Sequence, residues 1–482
     1  MVNFTFRNFI FTLSFFLLLL IDYGGASVYS QNRTFATNVE NQLNVYPTTT
    51  DVFGNPIPIE DELDNLNVSA RIEAGTGLLL GLGAYSGNLE VSYDDIVPAG
   101  TTTYVRVNAD DDFLRVLLGG SLGELLSDVL GIVLIGNQEF EIQAKLNSIP
   151  VLSADSTNPN SFGTDQVRVV TDPNGDIYIA ITPNIPYDRI SITNRVGSLL
   201  GLGNVKNLYF NGAFYIDSSS SCNEPLYTSF DGGGLNLELL NLNGFGVTNP
   251  EFAIDDDLLT FSEISTGTIN VAGFVEQIIY FDRATQPTED FKVTLKVDPS
   301  LLALGVANNI ELEAYNGTNL VSSSDLSSLL NLDLLGLLEG GTVAAVPFDV
   351  AGAADRILVR YNSLVGVNLL QSLDLYDVAI TPGIPIIDAA SEDVEVCEGE
   401  SASLVATTAS AGAELRWYDS EVGGNLLATT ASGETFTTSA LSEDTTFYVA
   451  SFLAGCTEES GRVAVEVTVN PLPESGDITV VG

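Results

Sequence analysis

"DFKVTLKV" (residues 290–297) places Phe291, Val293, Leu295 and Val297 at alternate positions, with Asp290, Lys292, Thr294 and Lys296 between them. Successive side chains of an extended chain point to opposite faces, so this is a strand with one face against a core. "NNIELEAY" (308–315) repeats the pattern with Ile310, Leu312 and Ala314, and "DRILVRY" (355–361) with Ile357, Val359 and Tyr361. Such runs, separated by Gly, Asn, Asp and Pro turns, recur along the chain and predict an all-β fold of the sandwich class. Two Leu-rich pieces break the alternation, "LLGGSLGELLSDVLGIVLIG" (117–136) and "SSLLNLDLLGLLEGG" (327–341). Glycines and acids inside the first argue against a membrane helix, and both are expected to form short helices or loops capping a sandwich end.

A longer repeat organises the strands. "YDRISITNRVGSLLGLGNVKNLYFNGAFY" (187–215) is echoed by "ADRILVRYNSLVGVNLLQSLDLYDVAI" (354–380), and "NPIPIEDELDNLNVS" (55–69) by "NPEFAIDDDLLTFS" (249–262). The reading is two related β-sandwich modules, residues 31–216 and 225–382, joined by a Ser-rich linker at 217–224. The first copy is longer, and the extra loop is expected near "SADSTNPNSFGTDQ" (153–166). Residues 383–473 form a third unit of short strands, with a cysteine near each end and one tryptophan between, which is an Ig-like plan. The last residues, 474–482, read as the start of a further domain.

The N-terminus has Arg7, an apolar run from Phe9 to Ile21, then small residues around Gly24-Gly25-Ala26. That order and length predict a signal peptide over residues 1–30 and an exported mature chain with no transmembrane segment. Seventeen Lys and Arg against 63 Asp and Glu give a net charge of −46, which repels phosphate backbones and excludes nucleic acid as a partner. There is no histidine. Histidine-based nucleophile activation and His-ligated zinc are thereby excluded, leaving a carboxylate-dependent glycosidase as the main catalytic alternative.

The third unit resembles the Ig-like domains strung along large secreted surface proteins of Bacteroidetes, of the gliding-motility and type IX secretion kind. The matching residues are Cys397-Glu-Gly, "LRWYDS" with Trp417, Gly423-Gly424, "TTFYV", Gly455-Cys456 and "VAVEVTVNPLP". The upstream modules look like the jelly-roll-like repeats that precede such domains. The resemblance implies a non-catalytic cell-surface protein, an adhesin or a structural stalk. A lectin-like protein holding polysaccharide or cell-surface glycan is the alternative. Cys397 and Cys456, flanking the Ig-like unit, are expected to pair, closing a loop that would add about 4 kcal/mol in a chain-entropy picture. Cys222 reads as an exposed thiol or an intermolecular link, and Trp417 as the core tryptophan of the unit.

The candidate metal ligands are Asp255, Asp256 and Asp257, with Asp61, Glu62 and Asp64 at the same place in the first module. Recurrence at a module's start favours a structural loop, one able to hold Ca²⁺ through carboxylate and carbonyl oxygens, over a catalytic centre. No cofactor is required by this reading. "TDPNGDIYIAI" (171–181) offers Asp172, Asn174 and Asp176 in alternation but lacks the remaining ligands of a calcium loop, and Pro-Asn-Gly predicts a hairpin turn there. "NADDDFLR" (108–115) reads as a solvated strand end.

Overall fold

A computed structural model describes residues 32–76, 84–110, 113–120, 138–162, 164–196, 205–218, 222, 224–233, 245–267, 273–302, 305–363, 371–421, 423–456 and 458–472. The expected signal peptide, the expected further domain at 474–482 and most of the first Leu-rich stretch lie outside these residues. The chain is all-β, and alternation does what it should: Phe291, Val293, Leu295 and Val297 are all essentially fully buried, as are Ile310, Leu312 and Ala314. The second Leu-rich stretch forms two short helices, Leu326–Leu329 and Leu332–Glu339. Asp325 and Asn331 cap them by accepting from the backbone N–H of Ser328 and Leu334.

Both modules have the same plan of two facing sheets. One sheet of the first module runs Asn38–Leu43, Gly87–Val97, Tyr187–Arg195, Glu139–Leu146, Ile149–Asp155 in spatial order. The corresponding order in the second is Pro225–Gly233, Phe274–Phe281, Arg356–Asn362, Ile310–Asn316, Asn319–Asp325. The facing sheets run Val45–Pro47, Ala70–Gly75, Val205–Ser218, Thr103–Ala109, Ile177–Ile181 in the first module. Phe245–Thr248, Ser262–Gly267, Gln371–Pro382, Glu289–Val297, Ala344–Phe348 match them in the second. The larger difference in length lies between the strands Thr103–Ala109 and Glu139–Leu146, where residues 110–138 stand against residues 298–309 of the second copy. The expectation of a long extra loop at 153–166 is corrected accordingly; that region instead adds the strand Val167–Thr171.

This added strand joins the modules. Val167–Thr171 pairs with Ile177–Ile181 on one side, and Thr171 meets Thr228 of Pro225–Gly233 on the other. One sheet of the first module therefore continues into the opposite-type sheet of the second, giving a 12-stranded sheet. Tyr104 stacks on Tyr227 across the junction at 4.4 Å between ring centroids, with Tyr178 and Phe214 alongside, and Arg356 pairs with Asp165 at 3.1 Å. A single apolar core runs through both modules.

The Ig-like unit has its own core. Its five-stranded sheet runs Val394–Cys397, Val463–Asn470, Thr445–Leu453, Ala413–Tyr418, Leu426–Ala431, facing a three-stranded one. Trp417 is fully buried there, stacked on Phe436, and donates from Nε1 to Thr430 Oγ1 at 3.1 Å.

Candidate functional site

The acids of "NPEFAIDDDLLTFSEI" are spent on a turn. Asp255 accepts from the backbone N–H of Asp257 at 3.1 Å and from Thr260 Oγ1 at 2.8 Å, and Asp257 accepts from the N–H of Leu259 at 2.9 Å. Asp256 has φ of 59°, a left-handed conformation that a short polar residue adopts at low cost. In the first module Asp61 and Asp64 are exposed, and Glu62 accepts from Asn65 Nδ2 at 3.0 Å. The cavity beside Glu62 is only about 10 Å³, room for a water at most. Among the described residues no three Asp, Glu or Cys side chains converge as a metal site would require.

What the triplet does meet is the seam between the second module and the Ig-like unit. Lys292 forms an ion pair with Glu458 and also donates to the carbonyl of Glu459 at 3.4 Å. Burial opposes the charge of Lys292, but Glu458, Asp377 and Glu459 outweigh it and hold its pKa above the usual lysine value. Asp377, on the strand beside that of Lys292, is 5% exposed. Burial first, then Glu458, push its pKa up to about 7, and Lys292 pulls it back. Asp256 is raised as well, by partial burial, then by Glu458 and Asp255. Several acids thus share one lysine.

Covalent and hydrogen bonds close the same seam. Cys222 is joined to Cys456 by a disulfide, with Cα atoms 5.3 Å apart. The expected Cys397–Cys456 pair is therefore corrected: Cys397 is an exposed free thiol, and Cys222 is neither free nor available to another chain. The reason is geometric. Cys397 lies opposite Asn470 at one end of the sheet, whereas Cys456 follows Leu453 beyond Val463 at the other end. Seven residues of strand separate the two ends, roughly 23 Å, far beyond the ~7 Å that a disulfide spans between Cα atoms. Nearby, Thr288 O accepts from Gly383 N at 2.8 Å and from Ser410 Oγ at 2.6 Å. Asp290, two residues on, lies beside Asp349: burial, then the hydrogen bond to Asp349, push its pKa up to about 7. A glycosidase needs its two carboxyls roughly 5–9.5 Å apart with a sugar between; carboxyls within hydrogen-bonding reach of each other leave no such gap.

A second location went unmarked in the sequence. A polar cavity of about 300 Å³ lies on the first module, lined by Arg106 and Asn108 of the strand Thr103–Ala109, Arg115, Asp176 and Asn211. The hairpin predicted at Pro-Asn-Gly is there, with Asp172 accepting from the N–H groups of Asn174 and Asp176 and Gly175 at φ of 79°. It delivers Asp176 to Arg106 at 2.5 Å. "NADDDFLR" held four of the lining residues, Asn108, Ala109, Leu114 and Arg115, but their convergence with the rest depends on strand order, which composition does not reveal.

Residues 382–471 match the family described as Ig-like domain CHU_C associated, a domain found in surface proteins of the Bacteroidetes type. No curated protein matches the chain. Among solved structures, the adhesin domain of Epf from Streptococcus pyogenes is similar at 15% identity and TM-score 0.16, covering 44% of this chain and 78% of that one. DIP-gamma IG1+IG2 follows at 10% identity and TM-score 0.13, covering 42% and 90%. A Faecalibacterium prausnitzii beta-glucuronidase gives 8% identity and TM-score 0.17, covering 41% and 37%. Overlaps this slight carry no functional argument. No helix among the described residues is long and apolar enough to cross a membrane.

Proposed function

We propose that this chain is a non-catalytic part of an exported cell-surface protein and works as a load-bearing stalk or adhesin. The observation that carries the reading is the Cys222–Cys456 bond, 234 positions apart in sequence. A disulfide of this kind persists in an oxidising compartment, which agrees with export. It also redirects force. Tension applied at the two ends passes along the first module to Cys222, crosses the sulfurs to Cys456 and leaves by the final strand. The second module and most of the Ig-like unit are bypassed. The 12-stranded sheet adds main-chain pairing between the two modules at Thr171 and Thr228, and the disulfide ties them to the Ig-like unit.

Single-molecule pulling on the oxidised chain tests this. The intact bond hides the enclosed segment, which reduction or Cys222→Ser releases as roughly 80 nm of extra contour, at about 3.4 Å per residue. An identical contour length with and without reductant would remove the load-bearing reading. Antibody labelling of intact cells checks the location independently.

A further inference from the structure

We infer that the polar cavity on the first module is a binding site for a carboxylated sugar, a uronate-type unit of a surface or matrix polysaccharide. The first ground is Arg115. The chain has 46 more acids than bases, yet among the described residues Arg115 has no hydrogen bond, ion pair or ring contact within the protein. Several other described arginines do find an acid: Arg195 reaches Asp155, Arg283 reaches Glu289 and Arg360 reaches Glu276. A planar guanidinium left open beside a cavity matches a carboxylate in two-pronged geometry.

The second ground is what the rest of the wall leaves unused. Asn108 accepts from the N–H of Ala109 through Oδ1, and its Nδ2 has no partner among the described residues. Asn211 donates from Nδ2 to the carbonyls of Leu66 and Val68, at 3.3 and 3.2 Å, and its Oδ1 has none. Asp176 uses one carboxylate oxygen on Arg106 and keeps the other. Arg106 is fixed by Asp176 and by the carbonyl of Leu66 at 3.0 Å. The wall thus presents both donors and acceptors without partners, and a hydroxyl, which is donor and acceptor at once, satisfies that mixture.

Size and charge narrow the class. About 300 Å³ is the lower end of small-ligand sites, enough for a sugar unit and little more. Asp176 disfavours a doubly charged phosphate, and a wall this polar offers nothing to a lipid or an apolar peptide. A neutral sugar would leave Arg115 unmatched. The inference goes beyond the load-bearing reading and does not depend on it.

The test is calorimetric titration of the full mature chain with three uronate trisaccharides (galacturonate, mannuronate, guluronate), their neutral methyl esters, and sodium sulfate. At least one uronate is expected to bind saturably, its methyl ester at least about tenfold more weakly, and Arg115→Ala to lose about tenfold or more, the range for a hydrogen bond to a charged group. Arg115 touches no partner, so this variant keeps its fold, checked by an unchanged melting curve. Asn108→Ala is expected to weaken binding of uronate and ester alike. No binding by any uronate, equal binding by Arg115→Ala, or sulfate binding as well as the uronates would each overturn the proposal. Pulling experiments would be unaffected by any of these results, so the two readings fail separately.

Discussion

Lys292 of the second module and Glu458 of the Ig-like unit form an ion pair across the domain seam, with Asp377 and Asp256 close enough to compete for the same cation. Burying charge is costly unless it is matched, and here one base serves several acids. Removing the base should therefore hurt more than removing one acid. Lys292→Met is expected to destabilise the seam by about 3 kcal/mol, the low end for breaking a buried pair, because both partners keep some contact with water. Glu458→Gln should cost less, and Lys292→Met with Glu458→Leu should recover much of the loss. Hydrogen exchange of the strands Glu289–Val297 and Thr445–Leu453 measures this. Equal effects of Lys292→Met and Glu458→Gln would refute the shared-lysine picture.

The Asp290–Asp349 pair makes stability depend on pH with a definite sign. The ordinary Asp value is 3.8 and the folded value is raised to about 7. The proton on Asp290 is therefore fully in place below about pH 4 and is lost as pH rises through 7. Asp377 titrates in the same direction over the same window. Urea midpoints should fall between pH 4.5 and 7.5, and Asp290→Asn should flatten part of that fall by hydrogen bonding to Asp349 without a titrating proton. General relief of self-repulsion in so acidic a chain acts in the same direction, so the diagnostic quantity is the difference between wild type and variant. A variant whose midpoint varies with pH as steeply as wild type would exclude the pair as a cause.

The three cysteines differ sharply in reactivity. With Cys222 and Cys456 joined, a native chain should react with alkylating reagent once, at Cys397. Cys397→Ser should leave the melting temperature within about a degree, as exposed sites away from partners do. Cys222→Ser should cost up to about 5 kcal/mol, the chain-entropy value for so long a loop. Trp417 is the sole tryptophan, so its fluorescence reports the Ig-like unit by itself and shows whether that unit loosens first. Peptide mapping that recovers a Cys397–Cys456 bridge would contradict the arrangement.

What could be read from sequence was whatever depends on local periodicity. Phe291, Val293, Leu295 and Val297 announced their strand because burial on one face imposes period two, and Trp417 announced its core because it is the only large indole available to fill one. The repeat also predicted equivalent strands, since Tyr187–Arg195 and Arg356–Asn362 do take equivalent central places in matching sheets. Long-range pairing stayed hidden. Thr171 meeting Thr228 depends on two edges finding each other, and nothing local encodes that. Cys456 had a nearer candidate in Cys397, and only the direction of the strands between them shows the two at opposite ends of a sheet. The cavity residues come from four separate elements, Arg106 and Asn108 from one strand and Arg115, Asp176 and Asn211 from three other elements, so their meeting required the fold.

The acid triplet is a turn held by its own carboxylates. Asp255 holds the turn through Asp257 N and Thr260 Oγ1, while Asp256 faces Glu458 across the seam. A carboxylate already accepting two hydrogen bonds within its own turn is a poor start for a shell of six to eight oxygens around Ca²⁺. Asp255→Ala should therefore lower stability by about 1–2 kcal/mol, the usual loss for local acceptor bonds to backbone and hydroxyl. Wild type should melt at the same temperature in millimolar calcium and in chelator. The opposite result is clear-cut: a calcium-dependent rise in melting temperature that disappears in Asp255→Ala would reinstate the metal. Asp61→Ala in the first module is the control, since that carboxylate is exposed and should change little in either buffer.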